Sequence, residues 1–315
     1  MEEEKKLYPL VLIPVEDPPG EIWHLADMGY PDSMIRDGYL STDILSEVMD
    51  VYMDRIVGEK AFASFGRQFP VMLKTLKNKQ GTPLLVHPDD ETAFQRFDFL
   101  GKAKLWYVLS APEGACLYLG FKADTAASDF YNASKDGSVR NLLKEVPVKP
   151  GNCFKINPGT VHAAPQGVEI LEIAESSPLD FRIFNWGKQE GEMDPFDEEL
   201  TLEAAFDFIN YSESKVVKAS EDYSAEGVRS LCDGPEFKAG EIRLSSPLKI
   251  DASRSGSFSA YYCLSGEAAV QVAAPGAQEE LFAFAAGTAV IVPAEVEQFV
   301  LIPRQENTTL VELSI

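Results

Sequence analysis

Apolar residues in this chain recur mostly at every second position or in short runs, and seldom at the three-to-four spacing of a helix. One early exception is Ser41 to Ile56, where Leu45, Val48, Met49 and Tyr52 share a helical face and Thr42-Asp43 offers an N-cap. From Phe69 onward, Val71-Met72-Leu73, Leu84-Leu85-Val86, Leu105 to Leu109 and Cys116 to Phe121 are separated by Gly, Pro and Asn and read as strands. Asp129 to Leu143 predicts a helix, after which turn signals at Pro150-Gly151-Asn152, Asn157-Pro158-Gly159 and Gly167 divide further strands that end near Phe184. Glu198 to Tyr211 is amphipathic, and the polar stretch Ser212 to Glu226 reads as a linker. Alternation resumes beyond residue 240, at Ala260 to Leu264, Ala268 to Val272, Gly287 to Val292 and Thr309 to Leu313. No strand is regularly followed by a helix of crossover length, so the pattern predicts a mainly β protein of two antiparallel barrels with a few helices. The expected domains are residues 1–215, which carry the helices, and a smaller 227–315.

Composition narrows the class of partner. The chain has 315 residues, 45% of them hydrophobic, enough for real cores. Its 28 basic and 50 acidic residues give a net charge of −22, which repels phosphate backbones and anionic lipid. Neither nucleic acid nor a membrane is an expected partner, and an anionic substrate needs a local basic pocket. The same charge opposes loose self-association, so a monomer or weak homo-oligomer is expected. Cys116, Cys153, Cys232 and Cys263 form no CxxC and read as reduced, small hydrophobes. The N-terminus lacks an apolar segment behind its charges, and no apolar run approaches the roughly 20 residues that span a bilayer. A cytoplasmic location is the expectation.

Of three histidines, His87 and His162 fall at predicted strand ends beside turns. Side chains from such ends converge in the mouth of a small barrel, where neutral imidazole is a good zinc or iron ligand; a packed core imidazole fits the same position. Period-two alternation puts Lys102 and Lys104 on one face, where they form either an anion-attracting pair or a solvated pair at a strand edge. Arg182, between Phe181 and Ile183-Phe184, reads as a strand residue on a partly inward face. His24 reads as structural.

Val86-His87-Pro88-Asp89-Asp90, Gly101-Lys102-Ala103-Lys104-Leu105-Trp106-Tyr107 and Pro158-Gly159-Thr160-Val161-His162-Ala163 follow one another as the signature segments of type I phosphomannose isomerases do. Leu171-Glu172-Ile173 and Arg182-Ile183-Phe184-Asn185-Trp186-Gly187 extend the resemblance, and residues 262 to 293 resemble the family's C-terminal cupin. The resemblance implies two cupin domains of jelly-roll type. It implies an aldose–ketose isomerase that interconverts mannose 6-phosphate and fructose 6-phosphate. It also implies zinc held by His87 and His162, catalytic Glu172 and Arg182, and a phosphorylated hexose bound by Lys102, Lys104 and Arg182. The family's glutamate ligand corresponds to Lys104 and its glutamine ligand to Leu85, so two of four expected ligands are absent. Glu172 or Glu175 could replace the carboxylate, or Lys104 could bend outward. The alternative is a non-catalytic sugar-phosphate-binding cupin that uses no metal.

Overall fold

A computed structural model describes residues 6–186, 202–272 and 279–315. The chain forms two compact units, one of residues 75–219 and one that joins 1–74 to 220–315. Residues 1–74, expected with the N-terminal domain, group with 220–315. The strand Leu10–Ile13 pairs antiparallel with Ala289–Val292, Leu10 opposite Ile291, so the chain's beginning completes a sheet built from its end.

The 75–219 unit is a jelly roll of two antiparallel sheets. One runs Val217–Lys218, Cys153–Ile156, Lys104–Ser110, Glu169–Glu175; the other runs Phe181–Phe184, Leu84–Val86, His162–Ala163, Cys116–Phe121, Leu143–Pro147. Trp106, Val108 and Phe154 of the first sheet interdigitate with Leu117 and Leu119 of the second in one buried core. A second core covers the outer face of the second sheet, where Val86, Phe181 and Ile183 pack with Phe121, Phe130 and Val139. Phe130 comes from the helix Ala127–Asp136, which ends at a left-handed Gly137 before a 3-10 turn Val139–Leu142, short of the single helix expected. The expected linker contributes the edge strand Val217–Lys218, paired with Phe154-Lys155. In the amphipathic stretch before it, Leu202–Ala205 is helical and Phe206–Phe208 is 3-10; residues 198–201 lie outside the described residues. The alternation did not predict the helix Asp90–Phe97. Its N-cap is Asp89, whose side chain accepts the Thr92 N–H at 2.8 Å.

In the other unit, a sheet that includes Lys238–Leu244, Thr308–Ser314, Ser259–Ser265 and Ala289–Val292 packs on a second sheet of Leu248–Asp251, Gln298–Pro303, Glu267–Val272 and Glu280–Ala285. The early helix is divided into Leu45–Tyr52, Asp54–Val57 and Glu59–Phe65, with breaks at Met53 and Gly58, and its N-cap is Ile44 in place of Thr42-Asp43. All four cysteines are free, and no helix among the described residues is long and apolar enough to cross a membrane.

Candidate active site

Residues directly opposed on antiparallel strands share a face of the sheet. In the jelly roll of 75–219, Arg182 stands opposite Leu85, Leu85 opposite His162, and His162 opposite Leu119. Leu119 lies in the core between the sheets, so this whole row faces the interior, while Phe181 and Ile183 face the outer core. Arg182 is therefore two strand spacings, roughly 10 Å, from His162. On the facing sheet Trp106 is opposite Phe154 and Glu172, and Lys104 is opposite Ile156 and Ala174. Phe154 and Ile156 line the interior, which fixes Lys104 and Glu172 as inward too. The two faces meet where the Trp106 ring stands edge-on to His162 at 5.1 Å and the His87 ring lies 5.2 Å from His162. Sequence reasoning thus named five side chains, His87, Lys104, His162, Glu172 and Arg182, that share one interior.

Charge organises that interior. Lys104 Nζ lies 2.6 Å from Asp180 Oδ1 and 3.3 Å from Glu172 Oε2, and the Lys104 and Glu172 side chains are each only 1% exposed. Lys102 Nζ lies 2.8 Å from Asp180 Oδ2 and donates to the Ser177 carbonyl at 2.7 Å. Trp106 Nε1–H donates to Glu172 Oε2 at 2.7 Å. Two ammoniums and two carboxylates cancel in formal charge, which matters because an uncompensated buried ion costs several kcal/mol. Burial alone would raise the Asp180 carboxyl, but Lys102 and Lys104 override it and hold that group well below the usual range. Burial first and the Lys104 ammonium second depress His162 to about 4. Burial, His162 and Lys104 push His87 well below its ordinary value. Both imidazoles are neutral at pH 7. His162 Nδ1 is 2.8 Å from the Thr160 carbonyl oxygen, so that nitrogen carries the proton and donates, leaving the Nε2 lone pair directed elsewhere. His162 Nε2 and both ring nitrogens of His87 are buried without a hydrogen-bond partner.

A structural or catalytic zinc needs at least three protein donors around one point. Two imidazoles are available here, and no third ligand joins them: among the described residues no group of three His, Cys, Asp or Glu converges. Glu172 is turned to Trp106 and Lys104, and Glu175 Oε2 accepts the Ala103 N–H at 2.7 Å. Lys104 does not bend outward; it is buried with its charge among the donors. The residues do not fit a zinc ion. Asp180 is the member that sequence reasoning missed. Its signal was present: it stands two residues before the inward Arg182, hence on the same side by alternation.

No protein-family model matches the chain. It is 30% identical over 170 residues to the probable mannose-6-phosphate isomerase GmuF of Bacillus subtilis and 29% identical over 171 residues to the mannose-6-phosphate isomerase of Streptococcus mutans. Each match covers 54% of this chain, which spans only 52% of either relative. Over the whole fold, the mannose 6-phosphate isomerase of Bacillus subtilis superposes with a TM-score of 0.81 at 21% identity, covering 98% of this chain and 99% of that one. The putative mannosephosphate isomerase of Archaeoglobus fulgidus gives 0.72 at 20%, covering 94% and 87%. The chain is thus similar in sequence over about half its length, and in fold over nearly all of it, to proteins named mannose-6-phosphate isomerases.

Proposed function

We propose that the chain acts on a hexose 6-phosphate and interconverts mannose 6-phosphate and fructose 6-phosphate. The observation that carries this reading is the gathering of Glu172, Arg182 and two neutral imidazoles on the interior of one jelly roll, in a relative of enzymes named for that activity. Aldose–ketose isomerisation moves a proton between C1 and C2 through a cis-enediol, and it needs a base and groups that stabilise the developing oxyanion. Glu172 is the base in this scheme. The Lys104 ammonium and the imidazoles of His87 and His162 are the polarising groups, and Arg182, the more accessible cation, holds the sugar phosphate with Lys102 behind it. Because the donor set does not fit zinc, no step is assigned to a metal.

One observation favours a second reading, a non-catalytic sugar-phosphate-binding cupin: Lys104 is already paired with Glu172 and Asp180, and Glu172 Oε2 already accepts from Trp106. A coupled assay on mannose 6-phosphate, run with zinc and with a chelator, separates the readings. Turnover that persists in chelator is the expected result. Absent turnover with saturable calorimetric binding of mannose 6-phosphate would select the binding module, and folded protein that neither turns over nor binds would overturn both.

A further inference from the structure

We propose that the Lys104 ammonium is the resident cation of this jelly roll, occupying by covalent attachment the role that a bound divalent ion would otherwise fill. The inference holds whether the chain is an isomerase or a binding protein.

Three observations carry it. First, Lys104 Nζ has a coordination more like an ion's than a substrate-binding lysine's: Asp180 Oδ1 at 2.6 Å, Glu172 Oε2 at 3.3 Å, and a side chain 1% exposed. Lysine is seldom buried to this degree unless paired, and here two carboxylates are arranged around it. Second, the same interior holds neutral side chains of the kind that ligate metals, and three of their nitrogens have no hydrogen-bond partner. His162 is fixed as the Nδ1–H tautomer by the Thr160 carbonyl, so its Nε2 lone pair is available, and both nitrogens of His87 are buried without a partner. An ammonium supplies only hydrogens and no acceptor, and the partners of Lys104 are the two carboxylates, which leaves these imidazole nitrogens without one. Third, the formal charge is already balanced by Lys102, Lys104, Glu172 and Asp180. A dication added to this set would be an excess of two charges among buried groups, with an ammonium as its neighbour.

The consequence is that metal affinity is blocked by one side chain. K104E removes the ammonium and supplies a carboxylate beside His87 and His162, while K104M removes the charge but keeps the volume. Wild-type protein, K104E, K104M and K104E/H162A are compared by zinc calorimetry and by thermal melting with zinc or chelator. Wild type is expected to take up no zinc and to melt at the same temperature in both media. K104E is expected to bind one zinc per chain and to melt about 5–10 °C higher with zinc a hundredfold above Kd, a gain lost in K104E/H162A. K104M, which leaves Lys102 as the one ammonium against Glu172 and Asp180, is expected to melt roughly 10 °C below wild type. Stoichiometric zinc on wild type overturns the proposal, as does a folded K104E that gains no zinc. If K104E folds only with zinc present, that dependence is itself the expected result; if it folds in neither medium, K104M decides, and a melting point equal to wild type overturns the proposal.

Discussion

The side chain on which the functional reading turns is Arg182. It lies on the interior row with Leu85 and His162, yet it is only partly buried, so it combines access with position. Arg182→Ala is therefore expected to abolish turnover, or to weaken mannose 6-phosphate binding at least tenfold if the chain only binds, with a melting point within about 3 °C of wild type. Unchanged kinetics and unchanged affinity would remove Arg182 from the site. His24 has a different consequence, in the unit of 1–74 and 220–315. Its ring is buried 4.7 Å from that of Tyr262, and burial, opposed by a hydrogen bond with the Gly287 backbone, lowers its pKa to about 4. The unfolded chain takes up a proton near pH 6.5 that the folded chain refuses until about 4, so this stability is present above pH 6.5 and is lost as pH falls through that window. The loss amounts to ~3 kcal/mol. Urea unfolding at pH 7 and pH 4.5 is expected to show a steeper acid loss in wild type than in His24→Gln; equal slopes would contradict the assignment.

At the scale of elements, the approach to the charged cluster is set by a glycine. A Cβ on Gly101 would lie 2.4 Å from the Asp90 nitrogen and 2.5 Å from the Asp89 carbonyl carbon, both backbone atoms at the start of the helix Asp90–Phe97. The next residue, Lys102, donates its N–H to the Pro88 carbonyl at 3.1 Å, so the segment between Gly101 and the strand Lys104–Ser110 is pinned to the loop that carries His87. Gly101→Ala is expected to cost about 1–3 kcal/mol in urea unfolding, with a loss below about 0.5 kcal/mol as the contrary result. The strands themselves were legible from period-two runs, because Leu84-Leu85-Val86 and Leu105 to Leu109 alternate or fill both faces of a sheet whatever lies around them. That Lys102 and Lys104 share a side was legible for the same reason, though not whether that side faces inward. What pairs with them was not: Asp180 reaches Lys104 only because Phe181–Phe184 and Lys104–Ser110 lie in facing sheets, a relation that no local pattern encodes. The helix Asp90–Phe97 was missed because its apolar face is thin; only Ala93 is buried, and the capping Asp89 was the remaining signal.

For the molecule as a whole, sequence order and spatial units disagree. The strand Leu10–Ile13 bridges Ala289–Val292 and Met34–Ile35, which leaves the C-terminal segment short of a partner strand when taken alone. A chain of residues 220–315 is therefore expected to show the poor amide dispersion of an unfolded polypeptide in NMR spectra, since it would expose an unpaired edge and apolar face; well-dispersed spectra would contradict the composition of the unit. The mainly β character was foreseeable from alternation, but the grouping of residues 1–74 with 220–315 was not, because pairing across nearly the full chain leaves no trace in local periodicity.

If the Lys104 ammonium is the resident cation of the jelly roll, the wild-type protein leaves zinc unbound even when the ion is in excess. Elemental analysis of wild-type protein, exposed to excess zinc at neutral pH and freed of unbound ion by gel filtration, tests it most directly. Zinc far below one equivalent per chain is the expected result. One equivalent that disappears when His87 and His162 are substituted would contradict it.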